Sequence, residues 1–207
     1  LYAPVDRIMD AVIEELQSSD FEPLAFELAF GAAGQLPAIT LRENNGTARV
    51  VGTVYLVHGW LHHGKLYLRV VDYKTGKKSF DLAELRYGLG LQMLLYLFTL
   101  KEEGQMLFGG HEIVPAGVLY TPAREPMLRC ARDTAPEKIE KARKKELRRS
   151  GMVLEDPAVL QAMEHSALTS PCYLPIAVKK DGAVTGSLAS AEQLGKLSKY
   201  VDRLLHE

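Results

Sequence analysis

Strong net charge, paired cysteines and long apolar runs are all missing from this sequence, and each absence removes a class of protein. The 25 Lys+Arg against 26 Asp+Glu leave a formal charge of -1, so overall charge does not mark a polyanion-binding protein. Any nucleic-acid surface has to be local. Two cysteines, Cys130 and Cys172, stand far apart with no C-x-x-C partner. This fits a reduced cytoplasmic protein with ordinary thiols better than a disulfide framework, with a bridge between the two left open. No apolar run approaches the roughly 20 residues of a membrane helix, and no charged segment followed by an apolar one opens the chain. A cytosolic protein without membrane contact is expected. The sequence starts without methionine and stops on a charged helical pattern, which predicts a piece of a longer polypeptide.

What is present is enough hydrophobic residue for one core: 47% of 207 residues predicts a single domain over 1–207. Val5, Ile8, Met9, Val12, Ile13 and Leu16 recur at spacings of three and four, which predicts a core-facing first helix. Leu24 to Phe30, closed by Gly31, reads as a buried strand with one charge, Glu27, in its middle. A strand near Ala38 to Arg42, the turn Asn44-Asn45-Gly46 and a strand from Thr47 to His58 read as a hairpin. The His63-Gly64 turn then leads into a strand from Lys65 to Lys74, making a three-stranded meander. Leu82 to Leu100 is helical by its apolar spacing, and Ile113 to Tyr120 is strand-like. Beyond Pro122 a charged helical insertion over about 123–165 is expected, with helices at Glu137 to Arg149 and Ala158 to His165. A strand near Tyr173 to Val178 and a helix from Ala191 to Leu205 follow. The fold class is α/β (α+β), a central mixed sheet with a meander flanked by helices.

In a strand from Leu66 to Lys74, alternation puts Asp72 and Lys74 on one face, side by side at its end. Phosphodiester hydrolysis uses carboxylate oxygens to hold a hard divalent cation and a nearby cation to steady developing charge. Asp-x-Lys offers both groups, and a solvated strand end is the plain structural alternative. Gln92 and Tyr96 lie four apart on the next helix, sharing a face from which an amide and a phenol reach a metal-bound water or a phosphate. The alternative there is that both bond to neighbouring backbone. The run Lys138, Lys141, Arg143, Lys144, Lys145, Arg148 and Arg149 is a candidate phosphate-backbone contact, chiefly through Lys141, Lys144, Lys145 and Arg148. With Glu137, Glu140 and Glu146 interleaved, it reads more simply as a solvated helix face.

Leu68 to Leu82, then Tyr87 to Leu97, resemble the C-terminal nuclease domain of the AddB family, the B subunits of bacterial ATP-dependent helicase/deoxyribonucleases that process double-strand breaks. The resemblance extends to Pro115 to Tyr120, Gly151 to Leu154 and Gly186 to Ser190, and so covers most of the chain. It implies a RecB-like PD-(D/E)xK, restriction-endonuclease-like core. Asp72 would be a ligand for Mg2+ or Mn2+, Lys74 the catalytic lysine, and Gln92 and Tyr96 the Q-x-x-x-Y motif. Glu27 falls in the E-x-x-F-G segment and is a weaker metal candidate. Implied partners are single-stranded DNA ends and an AddA-like helicase-nuclease subunit, in a bacterial, nucleoid-associated cytoplasmic setting.

One strand departs from the family's G-x-I-D-R-V-D pattern: here it reads Gly52-Thr53-Val54-Tyr55-Leu56-Val57-His58. Tyr55 stands where the family has its other principal metal ligand, and a neutral phenol is a poor magnesium ligand. His58 replaces the second aspartate, but lies on the opposite strand face from Tyr55 and cannot simply replace the lost group. His62 and His63 are expected to be solvated in a turn. The family's iron-sulfur cluster needs cysteines that Cys130 and Cys172 do not match, so no cluster is expected in this chain. The leading expectation is a nuclease domain with impaired strand cleavage, retained for DNA guidance or subunit contact. The alternatives are an active exonuclease using Glu27 and Asp72, and a docking module that touches neither metal nor DNA.

Overall fold

The apolar spacing near the N-terminus forms α1 (Ala3–Gln17), and the alternating segments after it build a six-stranded mixed sheet. The computed structural model describes residues 3–31, 34–43, 46–76, 79–87, 90–123, 128, 130–131 and 133–205. The sheet runs in the order β1 (Glu22–Phe30), β4 (Gly52–His62), β5 (Lys65–Lys74), β6 (Glu112–Pro122), β7 (Ser150–Leu154) and β10 (Leu188–Ala189). The pairs β1–β4, β4–β5 and β6–β7 are antiparallel, while β5–β6 and β7–β10 are parallel. Parallel pairing of β5 with β6 requires a crossover, and α2 (Leu91–Glu103) supplies it. Leu68 and Val70 of β5, Leu94 and Leu97 of α2, Val118 of β6 and Val153 of β7 are all buried at its centre. The final helix α5 (Ala191–Leu205) packs on α2 and β10.

Three expectations are revised. The strand expected from Thr47 to His58 breaks at Val51, which lies outside any strand and is exposed. Its first part, β3 (Gly46–Val50), pairs with β2 (Ile39–Glu43) in a separate two-stranded sheet. Its second part, β4, turns back onto β1, so the meander of the main sheet is β1–β4–β5. The Asn44-Asn45 part of the expected turn lies outside the described residues. The helix expected over 82–100 is a short 3-10 turn, Leu82–Tyr87, followed by α2. Gly90, at φ 75, takes the left-handed conformation immediately before α2. Gly88 and Leu89 of that stretch lie outside the described residues.

The charged helix α3 (Pro136–Glu146) ends before Arg148 and Arg149, because Ser150 already begins β7. Pairing with β6 pulls that segment into the sheet. The short helix α4 (Pro157–Met163) is capped by Asp156, whose carboxylate accepts from the N–H groups of Ala158 and Val159. Beyond it, β8 (Ile176–Val178) and β9 (Val184–Gly186) form a small antiparallel pair. The buried Glu164 carboxylate anchors the approach to β8 by accepting from the backbone N–H groups of Cys172, Tyr173 at 3.1 Å and Leu174 at 3.0 Å. No helix among the described residues is long and apolar enough to cross a membrane.

Candidate active site

Asp72 and Lys74 close β5, and their shared face brings the Lys74 ammonium to 2.7 Å from Oδ2 of Asp72. Asp72 is buried, whereas 39% of the Lys74 side chain remains open to solvent. The parallel register places Tyr120 of β6 directly beside Asp72. Its ring lies 6.0 Å from the Lys74 nitrogen, within cation–π range. Burial first, and the Asp72 charge second, push the Tyr120 phenol above its ordinary pKa. The phenol therefore stays neutral beside the carboxylate. Nothing in the local sequence marks Tyr120 for this position, since a parallel neighbour across an intervening helix leaves no local signal.

On the other side of β5 the last paired residues of β4 are Leu56 with Val71, and Tyr55 and Asp72 each lie one residue beyond that pair. Tyr55 is 58% exposed. Across from it on β1, the pairs Phe26–Leu56 and Leu28–Val54 bracket Glu27. Glu27 is exposed and has φ 51, a left-handed conformation rarely adopted by a non-glycine residue inside a strand. Before it Phe26 is exposed, and after it Leu28 and Phe30 are buried.

Gln92 and Tyr96 meet each other on α2 as their spacing predicts: the Gln92 amide donates to the Tyr96 hydroxyl at 2.6 Å. The Tyr96 ring stacks on Phe30 at 5.2 Å. Its hydroxyl rests against Gly52, where an added Cβ would stand only 2.7 Å away. Glycine at the start of β4 is thus what admits the phenol. The Asp72–Lys74 and Gln92–Tyr96 pairs share no hydrogen bond among the described residues.

The opposite face of β5 carries a buried charge cluster whose members, Glu15, His58, Arg69 and Arg149, are scattered in sequence and share no local signal. Arg69 is fully buried, its guanidinium 5.2 Å above the Phe21 ring and 3.0 Å from Nδ1 of His58. Glu15 of α1 lies 3.8 Å from Arg69 and pairs directly with Arg149. Glu15 is the buried member among the described side chains of α1, whereas Met9 and Ile13 are about half exposed. The helix meets the sheet through a carboxylate more than through its apolar stripe. Burial, with Arg69 second, lowers the His58 pKa to about 3, so the ring is neutral and receives the guanidinium at Nδ1. His58 therefore belongs to this cluster rather than to the Asp72 side. His62 stacks on Trp60 at 4.2 Å and meets the His63 ring edge-on at the β4–β5 turn.

Of the four candidate DNA contacts, Lys141, Lys144 and Lys145 are exposed on α3. Lys144 lies 3.7 Å from Glu14, and Arg148 donates to the Pro171 carbonyl at 2.7 Å. Cys130 and Cys172 are both free thiols.

Residues 4–206 match the PD-(D/E)XK nuclease superfamily. The chain belongs to that superfamily. It is 34% identical, over 98% of its length, to the B subunit of the ATP-dependent helicase/deoxyribonuclease of Ruminiclostridium cellulolyticum. The corresponding B subunit of Acetivibrio thermocellus is 35% identical over 97% of the chain, and that of Clostridium acetobutylicum 31% over 96%. The chain spans only 17 to 18% of the length of these relatives. Mixed sheet, crossover helix and flanking helices are those expected for this fold.

Nucleases of this superfamily generally work with Mg2+ or Mn2+, ions that take several oxygen ligands. The side chains present do not fit such an ion. Asp72 is a single buried carboxylate, and the neighbouring strand presents a phenol, Tyr55, one residue beyond the last β4–β5 pair. No group of three or more His, Cys, Asp or Glu side chains suited to a metal occurs among the described residues.

Proposed function

We propose that this chain is a nuclease domain of a helicase/deoxyribonuclease B subunit whose own cleavage chemistry is impaired, retained to guide DNA ends during double-strand-break repair and recombination. On this reading residues 1–207 form one domain whose charged segment over about 123–165 also supplies β7 to the central sheet, and its partners are single-stranded DNA ends and an AddA-like helicase-nuclease. The observation that carries the reading is Tyr55, a phenol one residue beyond the last β4–β5 pair just as Asp72 is on β5, at the position where a second carboxylate would be needed for a divalent cation. Asp72, Lys74, Gln92 and Tyr96 are the retained half of the ancestral site.

Purified protein is incubated with single-stranded DNA and magnesium or manganese. Wild type is expected to cleave little, while Tyr55→Asp is expected to gain both manganese affinity and cleavage. Robust wild-type cleavage that disappears in Lys74→Ala overturns the impairment. The competing reading, an active exonuclease using Glu27 and Asp72, draws on the left-handed backbone at Glu27, since strained residues collect at functional sites. Cleavage by wild type that is lost in Glu27→Gln establishes that reading instead.

A further inference from the structure

The ring at position 55 is itself a binding element: we propose that Tyr55 stacks on an unpaired nucleobase, with the Glu27 carboxylate accepting from that base's exocyclic amino group. The proposal rests on the DNA-guiding reading above and names what the altered site holds. Two independent features converge on it. Tyr55 presents more than half its surface to solvent one residue beyond the last β4–β5 pair, as Asp72 is on β5. Glu27, across from it on β1, is exposed on a backbone bent into the left-handed region.

Charge selects the base rather than the backbone as the group that meets this surface. Glu27 repels a phosphate, and the nearby Asp72 and Lys74 neutralise one another at 2.7 Å. A stacked base carries no net charge, and tyrosine offers a flat face that every base can cover. A carboxylate at the base edge accepts from the amino group of cytosine, whereas thymine has a carbonyl at that position. The site should therefore prefer a cytosine-bearing single strand to a thymine-bearing one.

Binding is measured on the intact protein by fluorescence anisotropy with short oligodeoxycytidine, oligodeoxythymidine and an abasic strand. A 5-iodocytosine probe crosslinked by light locates the contact. The crosslink is expected on Tyr55, and Tyr55→Ala should weaken oligodeoxycytidine binding by roughly five- to 150-fold, the range of one base–aromatic stack. Tyr55→Phe should retain the binding. Glu27→Ala should erase the preference for cytosine over thymine, and the abasic strand should bind wild type and Tyr55→Ala alike. Wild-type affinity in Tyr55→Ala, or a crosslink confined to other residues, overturns the proposal. That failure is distinct from failure of the impairment reading, which is decided by wild-type cleavage with magnesium or manganese.

Discussion

His58 offers a pH test of which side of the sheet it serves. Its folded pKa of about 3 lies below the 6.5 of an unfolded histidine, through burial first and the Arg69 charge second. Below pH 6.5 the unfolded chain thus binds a proton that the folded chain refuses. Stability from this residue is fully present above pH 6.5 and is lost progressively as pH falls toward 3. Each unit in that window costs about 1.4 kcal/mol, so at pH 5 the loss is about 2 kcal/mol. With a urea slope of about 2 kcal/mol per molar, the unfolding midpoint moves down by about 1 M. His58→Asn keeps an acceptor for Arg69 but cannot titrate. Urea melts of both proteins between pH 8 and 5, subtracted from one another, isolate the histidine. Parallel profiles, or a His58 ring that titrates near 6.5 in the folded protein, would refute the assignment to the buried cluster.

Glu15→Ala leaves two buried guanidinium groups facing each other, and is expected to destabilise by about 3–5 kcal/mol in urea melts. Adding Arg69→Met should recover part of that loss, and a single-variant cost below about 1 kcal/mol would contradict the coupling. Gly52→Ala puts a methyl against the Tyr96 hydroxyl and should cost about 1–3 kcal/mol. Tyr96→Phe should relieve much of that cost by removing the oxygen, and an equal cost in both backgrounds would show that the clash is elsewhere. Tyr55→Asp should raise manganese affinity in calorimetry, and unchanged affinity would contradict the assignment of β4 as the ligand strand.

Local periodicity determined much of this protein without tertiary help. Alternation along β5 alone put Asp72 and Lys74 on one face, because strand side chains repeat every two residues. Helical spacing alone joined Gln92 to Tyr96, because residues four apart meet on one face. The same alternation separated His58 from Tyr55. Three other features depended on contacts between distant segments. The return of β4 onto β1 moved the 39–50 hairpin out of the main sheet, although its own residues pair as locally expected. Tyr120 reached Asp72 only through parallel pairing across α2, a register set by the crossover rather than by either strand. Glu15 and Arg69 look like ordinary charges in sequence and Arg149 like one of a basic run; only packing of α1 against the sheet, beside the residue that leads into β7, buries them together. Sequence pattern thus determined which side chains share a face, and tertiary pairing decided which faces meet, because register between distant strands is fixed by the packing of the whole core.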